Sequence, residues 1–156
     1  MKVKITKQGA KKPIILANGD KYDGLFEVFD DNGHLVLTTN CNTNPTVGYA
    51  GGEVASGEYI YKKRARANGM IVFDILTKDG SNILPSIKPN PNHGGAKIIQ
   101  AVQIHCGGKT WDGSHGCITI PPESWASVKQ ALGDSGIVQI IEKKNKDEKD
   151  EDKDNA

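Results

Sequence analysis

The stretch that decides the fold is residues 101–141, AVQIHCGGKTWDGSHGCITIPPESWASVKQALGDSGIVQII. Ile98 to His105 reads as a strand that ends on His105, and a Gly-rich loop leads through Ser114-His115-Gly116-Cys117 into the apolar run Ile118 to Ile120. At Pro122 the period changes. Trp125, Val128 and Leu132 fall on one helical face, prolines stand at the start, and Gly133 sits where a C-cap belongs, so Pro122 to Leu132 is predicted as the main helix. Ser135 to Ile141 then returns to a strand.

Outward from this stretch the chain is strands and turns. Lys2 to Thr6 alternates, Pro13 to Ala17 is short and apolar, and Leu25 to Phe29 with His34 to Thr38 predicts a hairpin around Asp31-Asn32-Gly33. Glu58 to Lys62 and Met70 to Leu76 flank a turn at Asn68-Gly69, and Asp79-Gly80 marks another. The expected fold is mainly β, a mixed sheet closed as a sandwich or barrel, with one main α-helix after the Cys loop. Pro85 to Lys97 is a long connection with three prolines and two glycines, read either as a functional, lid-like loop or as a passive crossover.

Length and charge narrow the function. The 156 residues suit one domain, assigned here to residues 1–142. Residues 143–156 are expected to be a disordered charged tail, because no apolar residue precedes the final Ala. With 20 Lys and Arg against 19 Asp and Glu, the chain lacks the one-sided field of a nucleic-acid or anionic-membrane binder. No apolar run approaches the ~20 residues of a membrane helix. The N-terminus shows no apolar core or cleavage site of a signal peptide. The expectation is cytoplasmic synthesis, with action in the periplasm or cell wall after lysis or non-Sec export. The protein is expected to be a monomer that binds neither nucleic acid nor membrane.

Three cysteines, Cys41, Cys106 and Cys117, cannot all pair with one another. Around Cys117 two histidines, His105 and His115, lie within 13 positions on one loop. A thiol with a pKa near ~8.5 is mostly protonated at neutral pH, and a neighbouring imidazolium lowers that value to give the ion pair that acts as nucleophile. Gly116 lets backbone N–H donors approach the oxyanion of a tetrahedral intermediate.

The Ser-His-Gly-Cys run followed by an apolar residue, with an upstream His at a strand end, resembles the active-site motif of the L,D-transpeptidase (YkuD-like) catalytic domain. Ala55-Ser56-Gly57-Glu58-Tyr59-Ile60 resembles the strand entry of the same family. The resemblance implies the L,D-transpeptidase fold type and acyl transfer on peptidoglycan stem peptides, as transpeptidase or as L,D-carboxypeptidase. Cys117 would be the nucleophile and His105 the base, with Cys106 orienting the imidazole through its carbonyl. His115, Gly116 and Cys117 would form the oxyanion hole. Ser114 would shape the turn, while Trp111 and Tyr59 would contribute to the substrate cleft; Trp111 reads equally as a loop anchor. No cofactor or metal is implied. Two departures stand out: His105 and Cys117 are 12 positions apart, shorter than the family's spacing, and Thr119 stands where the family commonly has Arg.

Other readings use the same residues. His93 is an alternative base, 24 positions before Cys117, but lies in a proline-rich loop, whereas His105 ends a strand. His34 beside its hairpin turn reads as solvated or capping. His105, Cys106, His115 and Cys117 are ligand types that zinc accepts, without the usual spacing. A catalytically silent module recognising cell wall or a partner would keep the same fold, and Lys62-Lys63-Arg64-Ala65-Arg66 would suit phosphates or simply be a solvated hairpin end.

Overall fold

The computed structural model describes residues 1–45, 52–110 and 116–143. In chain order the elements are β1 (Lys2–Lys7), β2 (Ile14–Ile15), β3 (Lys21–Tyr22), β4 (Gly24–Phe29), β5 (Leu35–Cys41), β6 (Gly57–Ala65), β7 (Ile71–Leu76), β8 (Ile83–Pro85), β9 (Ile98–Gln100), β10 (Gln103–Cys106), β11 (Ile118–Ile120), α1 (Pro122–Leu132) and β12 (Ser135–Glu142). Eight strands form one mixed sheet in the order β11-β10-β7-β6-β12-β1-β4-β5. β1 with β12 and β10 with β11 run parallel, and the other neighbours in this sheet are antiparallel.

The two ends of the sheet meet. Asn42, just past β5, bridges to Thr119 in β11: the Thr119 N–H donates to the Asn42 carbonyl at 3.0 Å and the Asn42 N–H donates back at 2.9 Å. The result is a nearly closed barrel-like sheet, which leaves few backbone groups unpaired at its edges. Val3, Ile5, Phe26, Val28, Val138 and Ile140 fill its interior by simple alternation. The helix expected over Pro122–Leu132 forms with those bounds and adds Val128 and Leu132 to this core. Trp125 meets the Phe73 ring edge-on with centroids 6.1 Å apart, and the Tyr61 hydroxyl donates to the Leu132 carbonyl at 2.7 Å, satisfying one of the helix's last acceptors.

The hairpins at Gly33 and Gly69 form as the turn chemistry predicts, both glycines being left-handed. Three readings are corrected. The run Ile98 to His105 is two strands, because Ala101 takes a left-handed φ of 59° and sends the chain from a small ribbon, where β9 pairs with β8, into the main sheet, where β10 pairs with β7 and β11. The run Ile98 to His105 holds no Gly, Pro or Asn to mark that turn. The run Pro13 to Ala17 yields only the two residues of β2, paired with β3, and Ile15 is 68% exposed. Pro85 to Lys97 is the ordered tip of the β8–β9 hairpin. Asn90 knits it, capping the short turn Pro91–His93 and donating from its side chain to the Ile98 carbonyl at 3.1 Å. The tail expected from 143 onward lies, apart from Lys143, outside the described residues. Among the described residues, no helix is long and apolar enough to cross a membrane.

Candidate active site

The parallel ladder of β10 with β11 sorts the candidate residues by face. Ile104 pairs with Ile118 and His105 with Thr119. Ile104, Ile118 and Ile120 point into the core, so alternation turns Gln103, His105 and Thr119 to the outer face. Cys117 directly precedes β11, and its sulfur meets the backbone of Ala101 and Gln103 where β10 begins, on the strand that carries His105.

His105 is 9% exposed, and its Nδ1 lies 2.9 Å from the Cys106 carbonyl oxygen. A carbonyl only accepts, so Nδ1 carries the proton and Nε2 keeps the lone pair needed of a base. The backbone of Cys106 therefore makes the orienting contact that the family resemblance implies. Burial holds the His105 imidazole below its ordinary value; the Cys106 contact works against this, and the nearby Arg66 guanidinium adds to the lowering. Burial thus favours the neutral imidazole, whose Nε2 is free of the Cys106 contact and can receive a proton.

The Cys117 sulfur, partly exposed, is held from two sides. The Gln103 backbone N–H donates to Sγ at 3.4 Å, and the Ala101 carbonyl lies 3.9 Å from it. Ala101 is the left-handed residue that breaks β9 from β10, so the same backbone departure turns its carbonyl toward the thiol. Such rarely populated conformations in non-Gly residues cost ~1–3 kcal/mol and cluster at functional sites. Just before Cys117, Gly116 is buried with a φ of 110°, and a Cβ there would come within 2.5 Å of the Ile99 side chain and 2.7 Å of the Gly52 carbonyl. Only glycine fits between β9 and the segment at residue 52.

That segment is anchored by a buried lysine. Lys7 Nζ donates to the Val54 carbonyl at 2.6 Å and to Glu53 Oε1 at 3.1 Å, with Glu142 Oε1 at 3.4 Å. On the other side of the site, the Tyr22 hydroxyl donates to the Gly108 carbonyl at 2.8 Å, and Gly107 leaves no room for a Cβ against that hydroxyl. A groove of about 480 Å³, lined in part by Arg64, Asp74, Ala101 and Gln103, opens beside the residues that hold the thiol.

The remaining candidates separate. Ser114, His115 and Trp111 lie outside the described residues. Tyr59 is 4% exposed and its hydroxyl donates to the Ala55 carbonyl at 2.7 Å, which places it in the core and not on a cleft wall. Cys106 is in register with Ile120, and its thiol donates to the Gly107 carbonyl at 3.3 Å. Burial raises its pKa, Lys129 opposes this and Glu123 adds to it. Among the described residues, no three His, Cys, Asp or Glu side chains group as a metal site. Cys41, Cys106 and Cys117 are thiols, and Cys41 is wholly buried. His93 sits on the tip of the β8–β9 hairpin, away from β10 in the fold's connectivity. His34 is an exposed turn residue whose N–H donates to Asp30.

Thr119 explains one departure from the family motif. It is 0% exposed, its backbone closes the barrel, and its Oγ1 is a buried atom without a hydrogen-bond partner among the described residues. An Arg side chain has no room at such a position. Sequence reasoning missed Gln103, Ala101 and Lys7, and placed Arg66 only in the basic run Lys62 to Arg66. Gln103 had a signal, since it alternates with His105 as a polar residue in an apolar strand; Ala101 had none. Compared with protein-family models, curated proteins and solved structures, the chain matches none.

Proposed function

We propose that this protein is a cysteine-dependent acyl transferase or hydrolase of the L,D-transpeptidase type, acting as a monomer on peptidoglycan stem peptides. The observation that carries the reading is the Cys117 sulfur held by the Gln103 N–H of β10, the same strand that carries His105 with its Nδ1 at the Cys106 carbonyl. In the reaction, Nε2 of His105 takes the Cys117 proton as the sulfur attacks the donor carbonyl. The resulting oxyanion is met by backbone N–H groups around Gly116 and Cys117. The carbon–nitrogen bond breaks, the proton passes from His105 to the departing amine, and a Cys117 thioester remains. His105 then deprotonates an acceptor amine or a water, which attacks the thioester and returns the thiol. The substitution of Thr119 for the family's Arg favours the smaller demand of hydrolysis as one outcome of that second step.

The substrate lies in the cell wall, so the protein would act there after lysis or non-Sec export. Mass spectrometry of muropeptides incubated with wild type and with Cys117→Ala tests the reading. Cleaved or cross-linked products are expected from the wild type alone, with a loss of at least ~10³-fold in the variant. Identical products from both would overturn it. A silent binding module would instead leave muropeptides unchanged and Cys117 no more reactive than a small thiol.

A further inference from the structure

We propose that Arg66 is the anion-recognition residue of the Cys117 site, selecting molecules that carry a carboxylate close to the carbon the thiol attacks. The inference rests on the reading of Cys117 as a reactive thiol, though not on the identity of its substrate.

The basic run Lys62 to Arg66 does not end in solvent. Lys62 pairs with Asp74 across β6 and β7, and Asp74 pairs with Gln103 across β7 and β10. By alternation Lys62, Arg64 and Arg66 belong to the outer face that holds Gln103 and His105. Arg66 itself is fixed where the β6–β7 hairpin turns, its N–H donating to the Met70 carbonyl at 2.8 Å. From there its guanidinium donates a hydrogen bond to the Gln103 side-chain oxygen. Gln103 in turn donates its backbone N–H to the Cys117 sulfur at 3.4 Å. A single residue separates the cation from the thiol.

The charges on this face leave Arg66 in excess. Arg64 meets Asp74 through two hydrogen bonds of 2.7 and 3.1 Å, so that pair is internally matched. Burial favours the neutral form of His105. Among the described residues, Gln103 is the one side chain hydrogen-bonded to the Arg66 guanidinium. A guanidinium has five N–H donors in a planar fork, a shape suited to a carboxylate. The groove lined in part by Arg64, Asp74, Ala101 and Gln103 adjoins this arrangement at Gln103.

The test compares two alkylating reagents, iodoacetate and iodoacetamide, which differ in one carboxylate. Both attack the same thiolate, so the ratio of their rates at one pH cancels the thiolate fraction and reports the charge near sulfur. Labelling is read by peptide mass spectrometry at Cys117, apart from Cys106. The ratio in wild type is expected to exceed that of a small model thiol by roughly threefold, the order one unit charge produces across about 8 Å of partly solvated surface. It should fall to the model value in Arg66→Gln, stay high in Arg66→Lys, and decline with added salt. A wild-type ratio equal to that of the model thiol would overturn the proposal without recourse to any variant. So would a ratio unchanged in a folded Arg66→Gln protein. A raised ratio with muropeptides untouched would break the acyl-transfer reading and leave Arg66 as proposed, whereas a Cys117 refractory to both reagents would overturn the two together.

Discussion

The ladder of β1 with β4 and the ladder of β10 with β11 use the same backbone pairing but bury their side chains in different ways. β1 and β4 alternate along their six residues each, one residue buried and the next partly or fully exposed. In β10 the first three residues are buried on both faces, as are all three of β11. The inner side of that corner is apolar, and its covered outer side holds Gln103, His105 and Thr119. A polar, covered sheet face is costly unless its groups are bonded, and Thr119 Oγ1 is not. The contrast separates a part of the barrel shaped by packing from a part whose irregularities serve a site.

The sharpest way to probe the comparison is to weaken the regular side. Phe26, wholly buried in the core beneath β1 and β4, should cost ~3–5 kcal/mol when truncated to Ala, measured by urea unfolding. The residual folded protein should retain the Cys117 labelling rate of the wild type. A loss of reactivity in step with stability would mean that the corner is no separate functional unit.

A smaller effect comes from His105 and acts through pH. Its folded pKa lies below the ordinary 6.5 because of burial, so the unfolded chain binds a proton more readily in the window just under 6.5. Stability should therefore fall as pH drops from 6.5 toward the folded value and level off beneath it, with a slope of at most ~1.4 kcal/mol per pH unit from this group. His105→Gln should remove that slope. The proposed acyl transfer, which needs the neutral imidazole as base, should persist below pH 6.5 and then decline. A wild-type unfolding profile flat between pH 6.5 and 5, or one identical in His105→Gln, would contradict a desolvated imidazole.

The smallest expected change is at Thr119. Replacing it by the near-isosteric Val removes an unsatisfied buried hydroxyl, so stability should hold or rise by up to ~1 kcal/mol in a thermal melt. A clear loss would mean that the hydroxyl has a partner in solution, such as a bound water.

Most of the regular side was legible from residue order. Alternation in Lys2 to Thr6, the turn residues at Asp31-Asn32-Gly33 and the helical face of Trp125, Val128 and Leu132 are local signals, and each formed near its expected bounds. The corner was legible only as a set of residue types. His105 and Cys117 stood out because few side chains supply a nucleophile and a base. The backbone carbonyl of Ala101 and the N–H of Gln103 did not, because a backbone group has no residue signature; Arg66 stood out only as part of a basic run, since it lies 51 positions before Cys117.

By itself, then, the sequence determined the mainly β composition, the helix at Pro122–Leu132 and the presence of a thiol and an imidazole in one short region. These follow from side-chain period, turn chemistry and functional-group identity, all of which act over a few residues. Only the tertiary structure decided that the sheet closes through Asn42 and Thr119, that Tyr59 belongs to the core, and that burial lowers the His105 pKa. Those outcomes depend on strand register and on which face each strand turns to the interior. A one-residue change of register reverses every side chain's face, so no local pattern could have settled them.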